Sequence, residues 1–331
     1  MAAVEERMSS PTAEEQLMLE LMNRFRMAPA GELDRLLGAD AQPTVLSAIA
    51  EFGTDIAEVR RQIASFKAVA PLAWNDQLSD AAAAHNDAMI AARAQSHQVA
   101  GEPPLKERAT AAGYAWSRVG ENTYAYVDDV IHGHAAYVID WGRDAEDYDA
   151  SGALRSDWSR IGDGILDGAG HRYNMMSTAV TEVGIAITHI GRNADGMGPL
   201  VTTQDIGTRA DYKPQLMGVV IDDRDGDAFY DIGEGMGGVT VTLRNGDAVY
   251  TTTTWEAGGW QIAAPAGTYD ITFSGGGLGG TLTETATLGR SNVKVDVAVS
   301  PHQQWPSQPE PAAEALIHDF SVAPEWDMML F

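Results

Sequence analysis

The period of the apolar residues changes once along this chain, near residues 212–214, and that change constrains what can fold on either side. Upstream, Thr12-Ala-Glu-Glu15 reads as a capping box ahead of Leu17, Leu21 and Phe25 at helical spacing, and Pro29 and Gly31 end the pattern. Residues 44–68 hold a second helical stretch around Val45, Ile49, Phe52, Ile56, Val59, Ile63 and Phe66. A third helix begins near Asn75 or Asp76 and runs through an alanine-rich segment to about Ala94; a fourth covers roughly 127–141. Residues 182–190 and 200–206 are rich in β-branched side chains and predict paired strands across a Gly/Asn/Asp-rich turn. Downstream of Leu216 no helical period remains. Short Val/Thr/Ile/Tyr runs at 239–243, 249–254, 260–264, 268–273, 282–287 and 293–299 alternate with glycine-rich turns, the pattern of a small antiparallel sandwich. The expected organisation is an N-terminal segment 1–11, an α+β domain over 12–211, an all-β domain over 212–300 and a flexible Pro/Gln/Glu-rich tail over 301–331.

At 331 residues the chain can build two independent cores. No apolar run of membrane-spanning length occurs, so no transmembrane segment is expected. The 22 Lys+Arg against 47 Asp+Glu give a net charge of −25, a field that repels phosphate backbones and excludes nucleic acid as a partner. Many carboxylates suit a protein in calcium-rich fluid. There is no cysteine, which removes disulfides, thiolate metal sites and cysteine nucleophiles together. Met1-Ala-Ala-Val-Glu-Glu-Arg7 lacks the basic and apolar regions of a signal peptide. The end of the tail, Asp327 followed by Met328 to Phe331, is similar to the uncleaved signals of type I secretion substrates; a type I export route is therefore the expectation.

Four segments stand in a telling order: Ser96-His97, Gly120-Glu121-Asn122, Gly170-His171-Arg172-Tyr173-Asn174-Met175-Met176 and Thr181-Glu182-Val183-Gly184-Ile185. Leu72-Ala-Trp-Asn75 precedes them, Arg108 and Gly113-Tyr114 lie among them, and Val201-Thr-Thr-Gln-Asp-Ile-Gly207 closes the set. Together they resemble the bacterial branch of the CAP superfamily, which includes cysteine-rich secretory proteins, insect venom antigen 5 and plant pathogenesis-related class 1 proteins. Residues 32–69 have no counterpart in the minimal family pattern and read as a helical insertion. The resemblance implies a three-layer α-β-α sandwich with a cleft of two histidines and two acids. His97, Glu121 and His171 fall on the matching positions. For the fourth member there are two candidates: Asp144, three residues after Trp141, and Glu182. Two imidazoles and a carboxylate could hold a Zn²⁺-type ion, and only the fold could assemble them, since neither histidine has local ligand spacing. His85, His132 and His134 read as structural.

Asp223-Arg-Asp-Gly-Asp-Ala-Phe-Tyr-Asp-Ile-Gly-Glu234 carries a second signal. Asp223, Asp225, Asp227, Asp231 and Glu234 stand at loop positions 1, 3, 5, 9 and 12, and Phe229 offers its carbonyl at position 7, the oxygen spacing of a calcium loop. Position 6 is Ala228 where glycine is usual, and the flanks are strand-like. With Gly237-Gly-Val-Thr-Val-Thr-Leu243 behind it, the loop resembles the calcium-binding B-type repeats of bacterial surface proteins. Gly275–Gly280 fits G-x-G-x-x-G but no helix follows, so it is a turn; no Walker A loop, H-E-x-x-H or G-x-S-x-G occurs. Two functions are expected from these features. The first is a secreted module binding an extracellular lipid-like, peptide or wall-derived ligand, with the β-domain as spacer or adhesion element. The alternative is a metal-dependent hydrolase with Glu121 as general base.

Overall fold

α1 (Ala13–Met27) begins where the capping box places it: Thr12 Oγ1 accepts from the Glu15 amide at 3.2 Å and the Glu15 carboxylate accepts from the Thr12 amide at 3.0 Å. The computed structural model describes residues 10–192 and 196–299; the segment 1–9 and the tail 301–331, with its expected export signal, lie outside the described residues. α1 stops at Met27, just before Pro29, and Pro29 itself starts a second helix, α2 (Pro29–Leu36), because a proline at the first helical position loses no hydrogen bond. The stretch expected at 44–68 divides into α3 (Pro43–Phe52) and α4 (Ile56–Ile63), since Gly53 takes a left-handed φ of 67° and Asp55 caps the next helix.

The sheet is built on strands the sequence shows only in part. β1 (Ala73–Trp74) leads into α5 (Asp76–Ala92), capped by Asn75, and α6 (Leu105–Ala111) follows. β2 (Trp116–Val127) is a twelve-residue strand; α7 (Val130–Ile139) and the short α8 (Gly170–Met175) come next, then β3 (Glu182–His189) and β4 (Leu200–Arg209). The strand order is β1-β3-β4-β2, with β1 parallel to β3 and the other pairs antiparallel. α5 packs against β3 and β4 and α6 against β2; α1, α7 and α8 also contact sheet strands and one another.

From β5 (Gln215–Asp222) onward every element is a strand: β6 (Val239–Asn245), β7 (Ala248–Thr253), β8 (Gly259–Ala263), β9 (Gly267–Gly275), β10 (Leu282–Leu288), β11 (Val293–Lys294) and β12 (Val297–Val299). β10-β9-β6-β7 form one antiparallel sheet, while β5 pairs with β8, β11 and β12 in a second. Val241, Leu243, Trp260, Ile271 and Phe273 are buried between them.

The β-strand region has a buried cluster of its own, but the core of the first region reaches past residue 212. Val219, Ile221 and Tyr230 belong to the same buried cluster as α1 and α7. Polar contacts reinforce this junction: Gln261 and Trp74 exchange bonds between side chain and backbone at 2.9 and 3.0 Å, and Asn292 donates to the carbonyls of Pro71 and Thr181. The buried Lys294 ammonium meets Glu20 at 2.6 Å.

Candidate functional site

β2 is an edge strand, and successive side chains on it face opposite ways. Glu121 points toward α5 and α6; its neighbour Asn122 points the other way and donates to the backbone oxygen of His171 in α8 at 3.3 Å. This alternation decides which expected residues meet.

On the Glu121 side a buried ionic network forms. His97 Nδ1 lies 2.9 Å from Glu121 Oε1, and Arg108 of α6 pairs with the other carboxylate oxygen. His85 of α5 sits between two acids, 2.7 Å from Glu102 and 3.7 Å from Glu121. Arg108 also donates to the backbone oxygens of His97 and Pro103. His85 therefore belongs to the network and is not a bystander in the helix core. Burial alone would raise the Glu121 pKa, yet the His97 hydrogen bond and the charges of His85 and Arg108 hold it below the usual range. A carboxylate engaged by these partners is a poor general base.

Asp205, directly across the ladder from Glu121, is fully buried. Burial first, then the Glu121 charge, pushes its pKa well above the usual range. Nothing local in the sequence marks Asp205, Glu102 or His85 as partners; the cross-strand register and the packing of α5 bring them together.

His171 belongs to a different arrangement. Its Nδ1 is 2.7 Å from Asp140, the left-handed residue that ends α7, and its ring rests edge-on against Tyr137. The rest of the motif is structural. The fully buried Arg172 donates to the last carbonyls of α7, at Val138 and Ile139, and Asn174 ties α8 to β2 through the Glu121 backbone oxygen and the Asn122 side chain.

Of the two candidate acids, Glu182 accepts from Arg209 at 2.8 and 3.0 Å, Tyr114 at 2.9 Å and Asn75 at 3.0 Å. These bonds fasten the start of α5 to β3 and β4, and none comes from His97 or His171. Asp144 follows Trp141 into a loop where it meets Asp147 and Asp163 instead. Among the described residues, His97, Glu121 and His171 do not form a metal-ligating group; the only three-residue group with ligand atoms within 4.8 Å of one another is Asp223, Asp225 and Asp227. The cleft donors as placed do not fit a single zinc ion, and no chemical step is routed through one.

The acidic loop does fit calcium. Ala228 adopts a φ of 58° and Gly226 one of 83°, so the chain makes its turn without glycine at position 6. Backbone amides of the loop orient three of its carboxylates: Asp223 accepts from Gly226, Asp225 from Asp227 and Asp227 from Phe229. Glu234 closes the loop by accepting from the amides of Arg224 and Asp231. Burial and then the charges of Asp227, Asp225 and Glu234 raise the Asp231 pKa, the crowding a divalent cation would relieve. When bound, calcium would supply charge neutralisation and rigidity through these oxygens.

A family model described as the cysteine-rich secretory protein family (CAP) matches residues 19–206, more than half of the chain. Among solved structures, an extracellular protein containing an SCP domain from Bacillus anthracis str. Ames is similar at 17% identity and a TM-score of 0.29. The match covers 50% of this chain and 40% of that one, so the present chain spans well under half of the Bacillus protein. An outer surface protein of Borrelia burgdorferi is similar at 13% identity and a TM-score of 0.29, over 51% of this chain and 96% of that one. A venom allergen-like protein of Schistosoma mansoni is similar at 11% identity and a TM-score of 0.25, over 51% and 89%. No curated protein matches it. On the family match and the ordered motifs around His97, Glu121 and His171, the chain belongs to the cysteine-rich secretory protein (CAP) family.

Proposed function

We propose that this CAP protein is an exported binding module whose ligand is lipid-like, with its apolar chain in a cavity beside the Glu121 network. The observation that carries the reading is a cavity of about 790 Å³ lined by Ala81, Ala84 and Ala88 of α5, Ala111 at the end of α6, and the polar pair Glu102 and Arg108. Small side chains leave the width for an acyl chain, and a few polar groups at one end orient a headgroup, the usual build of a small-molecule site. Arg108 belongs to both the cavity and the network, so a headgroup arriving there meets a buried guanidinium and the exposed His97 ring.

The 223–234 loop, holding calcium, is part of this proposal, as are the role of the β-strand region as spacer or adhesion element and export through the tail. Such loops in extracellular modules fill at the calcium levels found outside cells.

The test is displacement of a fluorescent C16 fatty-acid probe from the full-length chain. Ala88→Trp should fill the cavity and abolish probe binding while the melting temperature stays close to the parent's. Absence of saturable binding to the parent, or unaltered binding to the Trp variant, would overturn the reading.

A further inference from the structure

A cavity of about 710 Å³ opens between α4, the loop after α7 and α8, and it shares no residue with the cavity beside the Glu121 network. Five carboxylates line it: Asp55, Asp144, Glu146, Asp163 and Asp167. Asp144 is 8% exposed, and its Oδ1 is buried with no hydrogen-bond partner. Its Oδ2 faces Gly162 of the same wall, where a Cβ would lie 2.5 Å away. Glycine there leaves the carboxylate open to the cavity. A carboxylate oxygen taken out of water without a donor is unfavourable unless a cationic donor replaces the water.

The protein supplies no such donor. Among the described residues, none of the five acids has a Lys, Arg or His within 4.0 Å; Arg60, Arg61 and Arg155 pair instead with Asp34, Glu58 and Asp157. Arg61, the one basic side chain in the wall, is held by both Glu58 oxygens at 2.5 and 2.7 Å. The acids are also spread out: Asp55 caps α4, Asp144 and Glu146 follow α7, and Asp163 and Asp167 come later in the same loop. No three of them bring ligand atoms within 4.8 Å of one another, so a bare metal ion has no shell here. Ile161, Ile165 and Leu166, interleaved in sequence with Asp163 and Asp167, add apolar wall, and Tyr173, 53% exposed, adds an aromatic ring.

We propose that this cavity binds a linear aliphatic polyamine, a flexible methylene chain carrying several ammonium groups. Such a ligand brings separated charges to separated carboxylates, lays its methylenes on the apolar wall and gives Asp144 Oδ1 the N–H donor it lacks. An ammonium group is also attracted to the open face of an aromatic ring, which gives Tyr173 a part. The cavity has the dimensions of a small-molecule site. The Asp144 pKa, pushed up to about 6 by burial and then by the charges of Asp163, Asp167 and Asp147, agrees with a carboxylate that lacks a counter-charge.

The test is calorimetric titration of the full-length chain with spermidine. Saturable one-to-one binding is expected, and Asp223→Ala with Asp227→Ala, which disables the other acidic loop, should leave it unchanged. Glu146→Gln with Asp167→Asn, at two exposed positions, should weaken it about tenfold through the loss of two ion pairs, and Glu146→Gln alone about threefold. The melting temperature without ligand should not fall in either variant, since each removes only like-charge repulsion. Magnesium at equal concentration should not displace spermidine. No saturable binding, equal affinity in the Glu146 and Asp167 variants, loss of binding in the loop variant or displacement by magnesium would overturn the proposal. So would binding of trilysine without binding of spermidine, which would assign the cavity to basic peptides.

Discussion

The guanidinium of Arg24 lies over the ring of Phe229, 3.8 Å from its centroid. Arg24 belongs to α1, and Phe229 belongs to the acidic loop of the β-strand region, where its carbonyl takes position 7. The next residue continues the attachment, with the Tyr230 hydroxyl donating to the Ala13 carbonyl at 3.3 Å. The loop is therefore fastened to the first helix of the CAP fold.

This contact makes a prediction about communication. If the loop holds calcium as proposed, Asp223→Ala and Asp227→Ala should loosen Phe229 and Tyr230 and with them α1. A cation–π contact at a partly buried site is worth about 1 kcal/mol, so amide exchange over 13–27 should speed up roughly fivefold in calcium buffer. Exchange changes confined to 215–299 would show that the two regions are not coupled.

Gly184 supports a steric prediction. Strand β3 and helix α5 approach so closely that a Cβ at Gly184 would lie 1.9 Å from the Ser79 amide nitrogen and 2.2 Å from the Leu78 carbonyl carbon. Both are backbone atoms near the helix start and cannot swing aside. Gly184→Ala should cost about 3 kcal/mol or more, by urea unfolding. Gly170→Ala, where a Cβ meets nothing within 4 Å, should change stability by only about 0.5 kcal/mol. Equal effects at the two sites would refute the close-packing account.

Helices and most strands were legible because their signals are local: the Thr12 box, the Asn75 cap and the alternation of β6 and β9. β2 was not, because Gly120, Glu121 and Asn122, residues depleted in strands, break its pattern midway. The CAP motifs located His97, Glu121 and His171, but the partners of each are distant in sequence. Asp140 precedes His171 by 31 residues, and the donors to Glu182 lie up to 107 residues away. Residues 32–69 read as an insertion on an otherwise complete domain. In the fold they supply core: Leu33, Val45, Val59 and Ile63 are buried with α1 and α7, and Glu32 is wholly enclosed.

That enclosed glutamate yields a pH prediction with a definite sign. Burial by itself would raise the Glu32 pKa, but hydrogen bonds and charge from His134, 3.0 Å away, and from Arg24 outweigh it and hold the group at about 2, against an ordinary 4.5. A carboxylate whose pKa is depressed in the folded state contributes stability above its unfolded pKa and loses it as pH falls toward the folded value. The window is therefore about pH 4.5 down to about 2, and the shift corresponds to on the order of 3 kcal/mol. Glu32→Gln cannot titrate and lacks the ion pairs. Its stability deficit, read by urea unfolding across the acid range, should be full at about pH 6 and shrink toward zero at about pH 2. A deficit that stays constant over that window would mean that Glu32 acts through its shape and not its charge.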